Sequence, residues 1–489
     1  MEQSRLIYLS ENTTTKTTSQ KTCISSEKLA ATYIVVGGGI AGVSCVESIS
    51  FLDPDEPIIL ITASPLVKCV ANIINLSKVL TQFDVKEQKA EYLLANNPSL
   101  KIIQDELISI NSTEKEVKTA SGLMLQYKKL CICTGASPKV IPGETENIIG
   151  IRDTDSVKDF QSRIKNARKI VLVGNGGIAT EIVHKVENVE IIWVIKDKHI
   201  SATFIDPGAA EFFQEKLKKN HVESEPQIVK RLKYSVSGEN ANHPGAALGP
   251  DWHSNIDLIG KSDSKVTIEY TSEVKSVSTV SEEGWCTCVE LTNGKRFLCD
   301  FVVSATGVIP NSGIHLEDKK FQLNNDLGIS VNWLMETNVE NIYASGDVCG
   351  ASWELADHWF QMRLWTQARQ MGMYAAKCMV AATKNEEVLQ DFCFELFSHV
   401  TKFFGFKVVL LGLFNGQKLD NNYEILLRVT KGLEYVKLIL KNGRMQGAVL
   451  IGETDLEEMC ENLILNQLDL TDFGEDLLNP DIDIDDYFD

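Results

Sequence analysis

Gly37, Gly39 and Gly42 stand in G-x-G-x-x-G order within Tyr-Ile-Val-Val-Gly-Gly-Gly-Ile-Ala-Gly at positions 33–42. The chemistry this spacing serves is the cradling of a pyrophosphate. The first glycine permits a tight turn, the second lets phosphate oxygens approach the backbone, and the third lets a helix pack on the preceding strand. The helix N-terminus adds unpaired N–H groups and the positive end of its dipole. A second loop of this kind lies in Lys169–Glu181, where Gly174, Gly176 and Ala179 fall as G-x-G-x-x-A. Two such loops imply two nucleotide sites.

The elements needed to position these loops are legible around them. Tyr33–Val36 has strand character, Val43–Phe51 reads as a helix and Pro57–Ile61 as a second buried strand. An acid that holds a ribose hydroxyl usually ends that strand, ~20 residues past the glycines. Thr62 occupies its place, so a hydroxyl rather than a carboxylate is offered. Leu130–Pro142 is a buried strand ending in Thr134-Gly135, followed by a proline-bearing crossover, and Asp300–Asn311 repeats the pattern with Thr306-Gly307. Asn341–Val348 places Gly346-Asp347 on a turn before a long helical pattern through Val380. After the second loop, the strand Val189–Ile195 ends in Lys196-Asp197. An acid there favours the free 2′-hydroxyl of NADH and a base the 2′-phosphate of NADPH. With one of each, the residues leave that choice open.

The twelve cysteines bear on the reaction class. A dithiol that exchanges electrons needs a C-x-x-C or similar pair, because one thiolate attacks and the other resolves. No such spacing occurs here. Cys131/Cys133 and Cys286/Cys288 are C-x-C pairs on apparent strands, with Cα atoms ~6.5 Å apart, and read as core residues. Cys69, shortly after the second strand, has no resolving partner near it in sequence. His399, in Phe-Ser-His-Val-Thr, reads as a satisfied core histidine.

Composition sets the class. A length of 489 residues gives room for two to four domains. The formal charge of −19 argues against nucleic acid as a direct ligand. No apolar run approaches the ~20 residues of a membrane span. Scattered cysteines suggest reduced thiols and hence the cytosol or nucleus. Residues 1–28 are Ser/Thr-rich without an apolar core and read as a disordered leader.

In order and spacing, the two glycine loops, the two Thr-Gly strand ends and the Gly-Asp turn resemble the pyridine nucleotide-disulphide oxidoreductase superfamily over about 33–380. Ala-Leu-Gly-Pro-Asp-Trp-His at 247–253 and Leu-Trp-Thr-Gln-Ala-Arg-Gln-Met-Gly at 364–372 resemble an animal branch that lacks the redox cysteine pair. The resemblance implies an α/β fold with two Rossmann-like domains plus a small C-terminal α+β domain. The FAD domain would be 31–160 with 312–388. It would be split by an NAD(P)H domain, 161–311, that carries an insertion at 221–265. The C-terminal domain would be 389–470, after a leader at 1–30 and before an acidic tail at 471–489.

The resemblance also implies roles. The first loop would take the FAD pyrophosphate and the second NADH or NADPH, Asp347 would bond the flavin ribitol, and Glu181 would stand near the nicotinamide. The helix around Gln361–Ala376 would aim its N-terminus at the flavin, with Trp359 and Trp365 able to stack beside it. Cys69 falls where single-cysteine relatives keep a redox thiol. The implied activity is FAD-dependent oxidation of NAD(P)H toward an acceptor other than an internal disulphide, in oxidative-stress defence. The alternative is a cofactor-loaded binding module that shields a partner such as a tRNA ligase, through the C-terminal domain or the tail. That tail holds eight acids and no Lys or Arg, with Ile482, Ile484, Tyr487 and Phe488 interleaved.

Overall fold

A computed structural model of the chain describes residues 6–7, 29–143, 145–218, 258–420 and 422–479. The sequence insertion at 221–265 therefore lies outside the described residues up to 257, as do Trp252 and His253.

Tyr33–Val36 is wholly buried because it is central in a sheet covered on both faces, where strands read as continuous apolar runs. That strand, Leu29–Val36, pairs in parallel with Ile58–Thr62 on one side and Met124–Ile132 on the other. Leu100–Gln104 extends the sheet beyond Ile58–Thr62, and Ile342–Ala344 pairs in parallel with Met124–Ile132. The leader is not wholly separate from this sheet. Leu6–Ile7 pairs in parallel with Leu100–Gln104, using the unpaired backbone groups of an edge strand.

Helix α1 (Ile40–Leu52) leaves the first glycine loop and is apolar nearly all round, as a helix enclosed by other elements must be. Helix α2 (Thr154–Ile164) starts from a capping box in which the Asp153 carboxylate accepts from the Ser156 N–H at 2.8 Å.

Helix α3 (Gly177–Lys185) leaves the second loop, above a five-stranded, fully parallel sheet. Its strands run in the order Ile148–Gly150, Phe301–Ser304, Lys169–Val173, Glu190–Val194, Lys265–Glu269. Helix α4 (Pro207–Lys218) follows, with Phe213 buried against Phe404, in the turn between the first two strands of the C-terminal sheet, at a ring separation of 5.2 Å. Asp206 accepts from the Tyr435 hydroxyl at 2.8 Å and pairs with Lys437 at 2.7 Å, so this junction is polar as well as aromatic.

Helix α5 (Trp365–Lys384) packs on α1, and Gly372 makes the approach possible: a Cβ there would lie 2.2 Å from the Ala41 carbonyl oxygen. The C-terminal sheet is antiparallel throughout, in the order Ser398–Phe403, Phe406–Gly412, Arg444–Ile451, Glu434–Lys441, Glu424–Thr430. Helix α6 (Glu457–Asn466) covers one face. The chain beyond 470 does not begin as a free tail. Leu477 is buried, and the Arg428 guanidinium donates to the Leu478 carbonyl. The remaining acidic stretch, 480–489, lies outside the described residues.

A hairpin of Leu66–Asn75 and Thr81–Lys89 leaves the first sheet and reaches α6. At its tip the backbone N–H groups of Lys78, Val79 and Leu80 and the Ser77 hydroxyl all donate to the wholly buried Glu461 carboxylate.

Candidate active site between two glycine loops

The two loops open on one cavity of about 820 Å³. Its wall carries Gly39, Gly135 and Asp347 from the first half, and Gly174, Gly176, Glu181, Lys196 and Gly307 from the second.

The glycines divide by role. Gly37 has φ +120°, and a Cβ on it would lie 2.2 Å from the Cys133 carbonyl oxygen. Gly174 has φ +130°, and its Cβ would lie 2.1 Å from the Ala305 carbonyl oxygen. These two hold the turns against neighbouring strand ends, and L side chains are excluded there on both counts. Gly42 permits the helix to close on the loop, since its Cβ would meet the Gly37 carbonyl at 1.9 Å. Gly39 and Gly176 differ: nothing of the protein lies within 4 Å of a Cβ at either. Their hydrogens face open cavity, and each is the middle glycine of a loop opening a helix. The structure thus leaves two cradles at helix N-termini, each of which a side chain would fill, and both fit a dinucleotide pyrophosphate. Ala179 lies in the core of the second half, not on the wall.

Asp347 is held by charge. Its carboxylate accepts from Arg152 at 2.7 Å, and its backbone carbonyl accepts from Arg363 at 2.9 Å. Arg363 in turn pairs with Asp326 at 2.7 Å. Arg152, Arg363 and Asp326 all line the cavity, and the sequence reading did not single them out. The available signal was a lone cation beside each recognised piece: Arg152 after the proline crossover, and Arg363 directly before α5. Thr134 and Gly135 are tied to the second crossover, because the Thr134 hydroxyl donates to the Asn311 carbonyl at 3.1 Å and Asn311 N–H to the Gly135 carbonyl at 2.9 Å. Gly346 brings this turn against α1, where its Cβ would meet the Ala41 side chain at 2.7 Å.

On the second loop, Asn175 donates to Asp197 at 2.8 Å, and Trp193 donates its indole N–H to the Gly174 carbonyl at 2.7 Å. Lys196 and Asp197 both reach the wall.

Several expectations are corrected. Thr62 does not reach the cavity: it is buried behind Gly38, and its hydroxyl donates to the Ser64 carbonyl at 3.0 Å. Cys69 lies on the hairpin strand, away from the wall, and its thiol is pushed up to about 12 by burial and by the negative charge of Glu47. A thiol so protonated is a poor nucleophile. Trp359 is a core residue stacked on Trp353 at 5.6 Å, whereas Trp365 does line the cavity. Helix α5 begins at Trp365 rather than Gln361, because the Gln361 side chain bonds the Ala351 N–H and the Cys349 carbonyl and holds this segment extended. Cys286 is exposed, its Sγ 2.9 Å from the Asp300 carbonyl oxygen, so only Cys288 of that pair is core. Cys131 and Cys133 have sulfurs 3.5 Å apart. Cys133 borders the cavity, and its thiol is pushed well up by its bond to Cys131 and by burial. His399 is buried but also forms part of the cavity wall.

Comparison with known proteins bears on this geometry. The family described as pyridine nucleotide-disulphide oxidoreductase matches residues 31–235 and 257–372. The chain belongs to that family. The C-terminal domain of rubredoxin NAD+ reductase matches residues 398–468. A Drosophila melanogaster relative, "Pyridine nucleotide-disulfide oxidoreductase domain-containing protein 1", is 50% identical over 470 residues, covering 94% of this chain and 99% of the relative. Among solved structures, putidaredoxin reductase in its covalent complex with putidaredoxin superposes with TM-score 0.65 at 16% identity, covering 90% of this chain and 94% of that one. The water-forming NADH oxidase of Lactobacillus brevis gives TM-score 0.65 at 14% identity, covering 91% and 92%. These structures share the fold: two Rossmann-type halves and a C-terminal domain. As a member of the family, this chain is an NAD(P)H-dependent flavoprotein oxidoreductase, with FAD and NAD(P)H as its cofactors.

Proposed function

We propose that the protein takes electrons from NADH or NADPH and delivers them to an acceptor outside the chain, not to an internal disulphide. The observation that carries this is the position of Cys69, the one cysteine the sequence put forward: buried on the hairpin, off the cavity wall, with a high pKa. When bound, FAD supplies the two-electron redox chemistry.

The chain's own residues do the positioning. The Gly39 cradle and the α1 N-terminus hold one pyrophosphate, and the Gly176 cradle with α3 holds the other. Asp347, fixed by Arg152, offers a charged acceptor to a sugar-alcohol hydroxyl. Arg152 and Arg363 place two cations on the wall, and the α5 N-terminus adds a positive dipole end where Leu364 and Trp365 border the cavity. Together these stabilise negative charge on a reduced cofactor.

The acceptor we assign is oxygen, a quinone-like molecule or a partner's oxidised thiol, in a role of oxidative-stress defence in the cytosol or nucleus. The scattered thiols support that compartment. A second reading, a cofactor-loaded module that binds and protects another protein such as a tRNA ligase, draws support from the C-terminal sheet. On its outer strand Ile425, Leu427 and Val429 alternate along one face at 52%, 49% and 50% exposure.

The test is anaerobic titration of the purified yellow protein with NADH and NADPH, followed by admission of air, a quinone or an oxidised thiol. Rapid turnover with one acceptor supports the enzyme. Reduced flavin that outlasts all three favours the binding module, and a flavin that neither nucleotide reduces would remove the reading altogether.

A further inference from the structure

Glu424–Thr430 is the outer strand of the C-terminal sheet and pairs on one side only, with Glu434–Lys441. Among the described residues, no backbone hydrogen bond from any other element reaches 424–429, so its outer edge offers a row of N–H and C=O groups. Its side chains alternate. Leu426 packs toward the buried cluster under α6, and on that same side the Arg428 guanidinium pairs with Glu434 at 3.1 Å. Ile425, Leu427 and Val429 stand on the opposite face, each about half exposed. An edge strand with an apolar stripe is a template for another strand, and native proteins cover such edges.

The chain itself returns to this edge. Gly474–Leu478 lies against Glu424–Thr430 as a short helical turn, Leu477 is buried, and the Leu478 carbonyl accepts from Arg428 at 2.5 Å. The described structure ends one residue later, at Asn479. Residues 480–489 then read Pro-Asp-Ile-Asp-Ile-Asp-Asp-Tyr-Phe-Asp. Asp481–Asp485 alternates acid and isoleucine, the period of a strand with one apolar face, and Ile482, Ile484 and Phe488 fall on that face. Pro480 has no N–H to donate and suits the first position of an edge strand. Reach is sufficient. The segment 480–489 can span up to ~33 Å, and the strand Glu424–Thr430 spans ~23 Å.

We propose that 481–488 adds to the outer edge of Glu424–Thr430 as a sixth strand, with Ile482 and Ile484 flanking the Ile425, Leu427 and Val429 stripe as cross-strand neighbours. The main chain of the segment takes up the open N–H and C=O groups of the edge. The tether at Leu478 makes this an intramolecular contact, with an effective concentration on the order of millimolar, which favours it over a free strand. The contact is autoinhibitory: a partner that pairs with this edge must first displace the segment. The inference does not rest on the cofactor chemistry.

The test reads backbone amide hydrogen exchange over 424–430 and 481–488 in the full-length holoprotein. Both segments should exchange at least tenfold more slowly than in the double variant Ile482→Asp, Ile484→Asp, and Leu427→Asp should release 481–488 likewise. Flavin content and flavin reduction by NADH, measured in every variant, should stay within twofold of wild type, so this result and the electron-transfer reading stand or fall separately. A fluorescent peptide of residues 480–489 gives an independent reading: it should bind a chain ending at Asn479 at least tenfold more tightly than the full-length protein. Exchange at 481–488 as fast as in the free peptide would overturn the proposal, and so would equal peptide binding to both chains. Protection that rises with protein concentration, together with a dimer in sedimentation velocity, would overturn it too and assign the edge to a second copy. If the chain ending at Asn479 does not fold, the exchange rates of the full-length protein decide alone.

Discussion

Arg152 and Asp347, distant in sequence, form an ion pair of 2.7 Å whose side chains are only 17% and 13% exposed. The same guanidinium donates to the Ala136 carbonyl at 2.7 Å, so one cation fastens the crossover after Thr134-Gly135 to the Gly346-Asp347 turn. Hydrogen bonds to charged groups contribute about 1.5–3 kcal/mol each. Arg152→Met should therefore weaken FAD retention by roughly ten- to a hundredfold, and Asp347→Ala should weaken it at least as much. Flavin absorbance after dialysis measures both. Full flavin content in Arg152→Met would show that the pair does not order the site.

The glycines give a sharper contrast. Gly39→Val has open space in the protein, so the variant should fold yet lose FAD. Gly37→Ala meets the Cys133 carbonyl at 2.2 Å with a positive φ and should fail to fold properly. A folded, fully yellow Gly39→Val protein would contradict the assignment of the first cradle.

Gly176→Val should keep FAD and lose reduction by NADH and NADPH, because nothing of the protein lies within 4 Å of the new side chain. Stopped-flow reduction at saturating nucleotide checks this. Loss of FAD with retained nicotinamide nucleotide binding would reverse the two sites.

Cys69→Ser should change flavin reduction and reoxidation by no more than about twofold, well below the ~1.4 kcal/mol of a tenfold effect. Two electrons should suffice for full reduction, without a thiolate–flavin charge-transfer band. Uptake of four electrons with a new thiol trapped at Cys69 would make this a thiol enzyme after all.

Glu461→Ala would leave the backbone N–H groups of Lys78 and Val79 at the hairpin tip without their acceptor, while the Leu80 N–H keeps the Ser77 hydroxyl. At about 1–3 kcal/mol for each buried unsatisfied group, a loss on the order of 3 kcal/mol is expected. Urea unfolding and faster proteolysis within 66–89 should both report it, while flavin content stays normal at low temperature. An unchanged unfolding midpoint would mean that the hairpin is held by its apolar contacts alone.

His399 predicts a pH dependence of stability. Its folded pKa is depressed to about 3, below the ~6.5 of an unfolded histidine. Below pH 6.5 the unfolded chain binds a proton that the folded chain does not. Stability from this group is therefore complete above about 6.5 and is lost as pH falls toward 3, by up to ~1.4 kcal/mol per pH unit. His399→Gln should lose less stability than wild type between pH 7.5 and 5, read as the difference in melting-temperature shift. Parallel curves would show that the imidazole charges freely in the folded state.

What sequence alone determined was local. Gly37, Gly39 and Gly42 announce a strand–turn–helix that accepts phosphate because the demand is a backbone one, written in consecutive residues. The same holds for Gly174–Ala179 and for Gly346-Asp347. Tertiary structure decided which side chains share the cavity. Arg152 meets Asp347, Ser77 meets Glu461, and His399 meets Thr366, Trp365 and Phe204, each from an element distant in sequence. Thr62 has the right position after its strand, yet its hydroxyl turns to Ser64 and is lost to the site. His399 has a core residue's surroundings in sequence, yet its strand brings it to the wall. A short motif fixes backbone shape because its constraints are steric and nearest-neighbour. Charge pairing, burial and the pKa of a thiol or an imidazole depend on what long-range packing places within a few ångströms, and that is settled only when the whole chain has folded.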